Sequence, residues 1–351
     1  MRQVSDLKPT HRATLFPSLA YTDIRRGACR ALIHGRVFDT QKIPLGTRFL
    51  LRGLKKAMQL DDQLLLSEIF RERIDGFLGA PGKRRRIVLQ IGEHRFRLRR
   101  RSRKDGTFFG TLAIPSDLIA PFHPRPCELT SQLIRPGDEA TSGAQDHVVG
   151  AIHYVPPQGV SVISDIDDTI KLTDATNRKA LLANTFLHPF EPIEGMSEVY
   201  SRWAAVGCSF HYVSSSPWQL FHPLAALCRQ HGFPAGSMHL RYFRVRDEML
   251  KRFRPLRHNS KVGIMVHLMR RLPMRRFILV GDSGERDPEI YWFLAKKFPT
   301  KVAAICIRNL PQRPLAGRRA GRLRDLASMV PVHVFDSARQ IEGIAERLMG
   351  N

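Results

Sequence analysis

From residue 158 onward the chain repeats one pattern: a short apolar run, then a stretch with helical spacing. The runs are VSVIS, SFHYVSS, SMHLRYF, RFILVGD and VAAICIR, separated by stretches that include PWQLFHPLAALCRQHG, KVGIMVHLMRRL and DPEIYWFLAKKFP. Apolar strands alternating with helices predict a parallel sheet covered on both faces, because each parallel connection must cross over the sheet and is long enough to hold a helix. In such sheets ligands sit at the carboxyl ends of the strands. Polar residues that follow the apolar runs are therefore the first place to look for chemistry.

The preceding part of the chain follows a different rule. ACRALIHGRVFD, RRIVLQIGEHRFRLRRR, GTFFGTLAIP and VVGAIHYVPP alternate with period two and are bounded by Gly, Pro and Asp. That pattern predicts antiparallel strands and a small sandwich-like β-rich domain. One interruption, LLLSEIFRERIDGFL, has helical spacing and reads as a helix or a connecting segment. The loop RPGDEATSGAQD resembles a linker, but the run HVVGAIHYV after it fits a last strand of the first domain. The boundary is therefore placed at Pro156 and Pro157, giving a β-rich domain over 1–156 and an α/β domain over 157–351.

The first strand of the second domain ends in a cluster of charge. VSVIS runs into Asp165, Asp167, Asp168 and Thr169. Mutual repulsion and desolvation both raise the pKa of carboxylates crowded at a buried strand end, so a cation is expected among them. Three more polar groups follow the same rule of placement. Ser214 follows the strand in YVSSSPW, Lys261 heads KVGIMVHLMRRL, and ILVGDSGERDPEIY delivers Asp282 and, after a loop, Asp287.

In this order the four elements resemble the motifs of the haloacid dehalogenase superfamily of phosphotransferases: DxDx(T/V), a Ser or Thr, a Lys, and an acidic GDxxxD-like element. The resemblance implies a Rossmann-like parallel sheet of that type and a phosphatase using Mg²⁺. Asp165 is then the nucleophile that forms an aspartyl phosphate, and Asp167 the acid that protonates the leaving alkoxide and later activates water. Asp165, the backbone carbonyl of Asp167 and Asp282 would hold the ion, whose oxygen ligands suit Mg²⁺. Ser214 and Lys261 would bind phosphoryl oxygens, with Thr169 and Asp287 in support and Asp168 satisfying backbone in the turn. The fourth element, GDSGERD, is one residue longer than GDxxxD, so Asp282 is the firmer ligand of its two carboxylates.

SVISDIDDTIK, YVSSSPWQL and ILVGDSGERDPEIY are similar, more narrowly, to the phosphatidate phosphatases related to the actin patch protein of yeast and their bacterial relatives. That resemblance implies hydrolysis of phosphatidate to diacylglycerol and phosphate. About 40 residues separate the first motif from the second, too few for a large cap, so a weakly capped site is expected. The alternatives are a phosphatase of the same mechanism acting on a soluble or nucleic-acid phosphate end, and a basic scaffold without activity, which the presence of all five polar site residues disfavours.

Charge bears on the partner. There are 56 Lys and Arg against 32 Asp and Glu, a net charge of +24. Such a chain attracts polyanions, either an anionic membrane or nucleic acid. The runs KRRR (83–86) and RLRRRSRK (97–104) concentrate that charge in the first domain, and peripheral contact with anionic lipid is expected, with nucleic acid ranked behind it. Five cysteines without a CxxC pair point to free thiols in a reducing, cytoplasmic setting and argue against structural zinc. No stretch approaches the roughly 20 apolar residues of a membrane span. Oligomeric state is not legible from any of these features.

Overall fold

A computed structural model describes residues 4–41, 67–121, 125–136, 147–174, 176–241 and 261–350. Most of the loop RPGDEATSGAQD, the first three residues of LLLSEIFRERIDGFL and the last two of SMHLRYF lie outside them. The chain divides into two compact units. One comprises residues 1–47, 78–157 and 236–238, and the other residues 48–77, 158–235 and 239–351.

The first unit holds β1 (His11–Leu15), β2 (Ser18–Asp23), β3 (Ala28–Asp39), β4 (Ala80–Pro81), β5 (Val88–Ile91), β6 (His94–Arg97), β7 (Thr107–Ile114), β8 (Cys127–Leu133) and β9 (Val148–Val155). They hydrogen-bond into one sheet, with every pairing antiparallel except β2 with β9. The twelve-residue β3 pairs with β2 over Ala28–Leu32, with β1 over Gly35–Asp39, and with β7 over Cys29–Arg36. Pro17, which has no N–H to give a ladder, stands between β1 and β2. Ile33 and Val37 of β3, Phe108 of β7, Leu89 of β5, Leu133 of β8 and Ile152 of β9 belong to one buried cluster. The unit is β-rich as its alternation predicts, and strands of its one sheet pack closely on a shared core. Gly35 permits that closeness: a Cβ there would lie 2.4 Å from both the Phe108 ring and the Thr14 carbonyl.

The second unit contains α1 (Glu68–Leu78, apart from its last residue), then β10 (Val160–Ser164), α2 (Arg178–Phe186), α3 (Met196–Ala205), β11 (Ser209–Pro217), α4 (Phe221–Gln230), β12 (Gly236–Arg241, apart from its first three residues), α5 (Lys261–Arg271), β13 (Arg276–Asp282), α6 (Asp287–Lys297), β14 (Val302–Arg308), α7 (Gly317–Arg324), β15 (Val332–Phe335) and α8 (Ile344–Met349). The sheet order is β12-β11-β10-β13-β14-β15, and the pairs β10–β11, β10–β13, β13–β14 and β14–β15 are all parallel. β10 and all but the first residue of β13 are buried, as strands covered on both faces require. The order reverses beside β10, so its carboxyl end opens at the switch point where ligands of such sheets bind. Helix α1 comes from the stretch with helical spacing inside the strand-rich half of the sequence. It docks within this unit, with Phe70 and Phe77 against Phe186 of α2 at ring separations of 6.5 and 5.9 Å.

Candidate active site

β10 ends at Ser164, and the next residue, Asp165, still belongs to the sheet: its amide donates to the Val280 carbonyl of β13 at 2.9 Å. A tight turn then follows. Asp168 takes φ +53, a left-handed conformation that Asp tolerates better than most residues. Its side chain accepts the amides of Thr173 and Asp174, both at 2.8 Å. Its own amide donates to Lys171. Asp168 thus satisfies backbone. Thr169 is fully buried, and its hydroxyl has no hydrogen-bond partner among the described residues.

The turn presents two carboxylates to different surroundings. Asp165 is completely buried, Lys261 Nζ lies 2.9 Å from its Oδ1 as an ion pair, and neither carboxylate oxygen accepts a hydrogen bond among the described residues. Burial pushes this carboxyl well above its ordinary range. Lys261 opposes the shift, while Asp287, Glu285 and Asp282 add to it. Asp167 is saturated. Its Oδ1 accepts from Thr173 Oγ1 at 2.9 Å and lies 3.2 Å from Lys171 Nζ, and its Oδ2 accepts from Ser214 Oγ at 3.0 Å and Ser216 Oγ at 2.6 Å. Burial alone would raise its carboxyl too, but the Lys171 ammonium and these donors outweigh it and hold the group below the ordinary value.

The fourth element arrives from β13. Asp282 is fully buried, and its Oδ1 accepts the amides of Gly284 at 2.5 Å and Glu285 at 2.9 Å, while Oδ2 has no hydrogen-bond partner among the described residues. Burial and the neighbouring Asp287 push its carboxyl up to about 7. Asp287 opens α6, where a carboxylate suits the helix dipole. It reaches back to accept the Asp282 amide at 3.3 Å and a hydrogen bond from Lys261. Gly281 makes room for this contact, since a Cβ there would lie 2.1 Å from Asp287 Oδ2. Burial would lower Lys261, but Asp165, Asp287 and Glu285 more than reverse it and raise its pKa.

Asp165, Asp282 and Asp287 can place one carboxylate oxygen each within 4.8 Å of one another. Two buried oxygens without a donor, Asp165 Oδ2 and Asp282 Oδ2, face a group of like charges that one ammonium only partly offsets. Those hard oxygens fit a divalent cation.

The polar residues expected from the sequence therefore lie in this unit. Two subsets form, Asp165 with Lys261, Asp282 and Asp287, and Asp167 with Ser214, while Asp168 and Thr169 belong to the turn and join neither. The carboxylate cluster able to hold an ion contains Asp287, while the Asp167 side chain is spent on hydroxyls and an ammonium. The sequence reading missed Lys171, Thr173, Ser216 and Glu285. Ser216 had a signal, since it shares strand parity with Ser214 in YVSSSPW and so points the same way. Lys171 had a weaker one, a lone cation three residues beyond three carboxylates.

Comparison with known proteins fits this arrangement. Residues 160–309 match the family model described as phosphatidate phosphatase APP1, catalytic domain. Phosphatidate phosphatase APP1 of Saccharomyces cerevisiae is 31% identical over 253 residues, which cover 69% of this chain and 40% of that protein. An uncharacterised protein of Schizosaccharomyces pombe is 32% identical over 177 residues, covering 48% of this chain and 29% of its own length. The chain thus spans well under half of the length of these relatives. A crystal structure of a candidate HAD-like phosphatase from Mesorhizobium loti overlays 56% of this chain and 88% of its own at a TM-score of 0.38 and 11% identity, an overlap too slight to argue from. From 160 to 309, where the two carboxylate subsets lie, this chain resembles the catalytic domain of phosphatidate phosphatase APP1.

Proposed function

We propose that the second unit is a Mg²⁺-dependent phosphatidate phosphatase of the haloacid dehalogenase type, Rossmann-like and weakly capped, working through an aspartyl phosphate. The observation that carries the reading is the pairing of a donor-free buried carboxylate at Asp165 with a saturated one at Asp167, two residues apart. Asp165 and Asp282 would hold the ion, with the backbone carbonyl of Asp167 as a third ligand and Asp287 close enough to support it. When bound, the ion screens the repulsion between a phosphate ester and its attacking carboxylate.

The chain's own groups do the rest. An oxygen of Asp165 attacks phosphorus, the ester P–O bond breaks, and the leaving alkoxide takes a proton from Asp167. A phosphate dianion bound beside Asp167 raises that carboxyl's proton affinity, so the substrate itself favours the acid form when an acid is needed. Once the alcohol departs, Lys171, Thr173, Ser214 and Ser216 favour the carboxylate, the form that draws a proton from water as the water attacks the acyl phosphate and frees Asp165 and phosphate. Lys261 neutralises charge on the phosphoryl oxygens, and Ser214 can turn from Asp167 to donate to one of them. Thr169 has a hydroxyl free to donate.

Contact with an anionic membrane is part of the same reading. In the first unit the two basic runs lie side by side: the Arg84 amide donates to the Ser102 carbonyl at 3.0 Å and the Ser102 amide to the Arg85 carbonyl at 2.8 Å. Lys83, Arg84, Arg99, Arg100, Arg103 and Lys104 are exposed around that pairing. Among the described residues no helix is long and apolar enough to cross a membrane.

The deciding experiment measures phosphate release from dioctanoyl phosphatidate, a nucleoside 5′-monophosphate and a 3′-phosphorylated oligonucleotide, with Mg²⁺ and with EDTA. Preference for phosphatidate, lost in EDTA, is expected. Preference for the oligonucleotide would replace lipid by nucleic acid, and turnover in EDTA would remove the ion from the mechanism.

A further inference from the structure

Helix α1 brings a cation to the catalytic unit that the mechanism above does not use. Phe70, Arg73, Ile74 and Phe77 recur at helical spacing and are all buried, so they form the face by which α1 docks. The aromatic members of that face meet Phe186. Arg73, only 5% exposed, lies with its guanidinium carbon 3.5 Å from the centroid of the Phe190 ring. Its Nε and Nη1 are shielded from water and have no hydrogen-bond partner among the described residues. Buried donors left unpaired are costly, and a charged group more so. The cation–π contact offsets part of the cost but uses none of the N–H groups.

The same ring leads to the active site. Lys171 Nζ lies 4.5 Å from the Phe190 centroid and 3.2 Å from Asp167 Oδ1. Through that ring and Lys171 the arginine is linked to Asp167, the group that protonates the leaving alcohol in the reading above. Lys171 is already neutralised by Asp167, whereas Arg73 has no carboxylate within ion-pair distance among the described residues.

We propose that Arg73 is a specificity-determining residue that donates to an oxygen acceptor carried by the leaving alcohol, an ester carbonyl or an oxyanion. This rests on the phosphatase reading above. The segment bearing Arg73 is thus a recognition element supplied to the α/β unit by the strand-rich half of the sequence. A leaving alcohol without an acceptor forgoes the interaction, so the residue acts on choice of substrate more than on the attack at phosphorus.

The test compares kcat/KM, with Mg²⁺, on phenyl phosphate, whose leaving group has no second acceptor, with that on dioctanoyl phosphatidate, which offers ester carbonyls, and 2-phosphoglycolate, which offers a carboxylate. The full chain should favour one of the latter two, and which one identifies the acceptor. In Arg73→Met the ratio of that substrate to phenyl phosphate should fall about 10- to 100-fold, the worth of a hydrogen bond to a charged group. Arg73→Lys should recover part of the ratio, because it keeps a cation over the ring. A merely structural arginine would lower all substrates together and leave the ratio unchanged, which would overturn the proposal, as would a full chain with no preference over phenyl phosphate. A full chain that hydrolyses none of the three overturns the phosphatase reading and this inference with it.

Discussion

Asp165 and Asp167 sit two residues apart on one turn and live in opposite electrostatic worlds. The first shares its surroundings with Asp282, Asp287 and Glu285 and has a single ammonium to offset them, so its carboxyl is driven up. The second is ringed by one ammonium and three hydroxyls, so its carboxyl is held down. Burial is common to both and cannot explain the difference. What differs is whether the chain itself supplies the compensating charge. Around Asp167 it does, and the subset is complete. Around Asp165 it leaves carboxylate oxygens without donors, and an ion from solution would finish the work.

The same substitution at both positions should therefore separate the two subsets. Asp165→Asn is expected to lower turnover at least about 10³-fold, as loss of a nucleophile does. It should also raise the thermal midpoint in EDTA, because it removes a buried carboxyl whose charged form burial and its acidic neighbours disfavour. Retained turnover would remove Asp165 as nucleophile, and a lower midpoint in EDTA would mean that its charge is already compensated.

Asp167→Asn should lower turnover about 10²- to 10⁴-fold, the range of general acid and base catalysis, and should destabilise the chain. It strands Lys171, which is 1% exposed, without its carboxylate, and breaking a buried pair from one side costs about 3–5 kcal/mol. Denaturant unfolding in EDTA would measure this. A stable Asp167→Asn protein would erase the contrast with Asp165.

A third prediction reads the comparison through pH. Asp282 and Glu285 are each pushed up to about 7, so they favour the folded state while protonated. Their contribution is complete below about pH 4, where both folded and unfolded chains hold the proton, and is lost as pH rises through about 7. Asp167, held below its ordinary value, contributes in the opposite sense: its stabilisation is present above about pH 4 and is lost as pH falls through its folded value. In EDTA the thermal midpoint should thus decline between pH 5 and 8, and Mg²⁺ should flatten that decline by compensating the carboxylates. A flat profile in EDTA would show that Lys261 alone suffices.

The two subsets were unequally legible. Asp165, Ser214, Lys261 and Asp282 each stand at the end of an apolar run or the head of a helix, and the sheet brings such positions together by construction, so spacing and order pointed to them. The strands VSVIS, RFILVGD and VAAICIR were equally legible, because burial on both faces leaves unbroken apolar runs. The donors around Asp167 depend on a turn closed by Asp168 at positive φ, which folds Lys171 and Thr173 back onto the carboxylate. No periodicity reports that. VHVF, the edge strand β15, is too short and too exposed to alternate visibly. The docking of α1 with the α/β unit joins residues more than a hundred positions apart, through Phe70, Phe77 and Phe186, and helical spacing alone does not say which sheet a helix serves.

Charge without a partner recurs in the first unit with the opposite sign, and there the smallest effect is expected. Arg101 is paired with Asp6 at 2.7 Å, but Arg99, Arg100 and Arg103 have no carboxylate partner among the described residues, although Arg103 lies over the Phe109 ring. Each basic side chain near a PS-rich surface contributes about 1 kcal/mol. Replacing Arg99, Arg100 and Arg103 with Gln should therefore weaken sedimentation with PS-containing vesicles about 10- to 100-fold at low salt, and much less at high salt, where the Debye length is short. Turnover on phosphatidate in those vesicles should fall with binding, while turnover on soluble dioctanoyl phosphatidate should stay within about twofold, since exposed substitutions away from a site seldom perturb the fold. Arg101 is left in place so that its bond to Asp6 continues to hold the paired basic runs. If vesicle binding persists while retention of a DNA duplex is lost, the unpaired cations serve nucleic acid and the lipid surface is withdrawn.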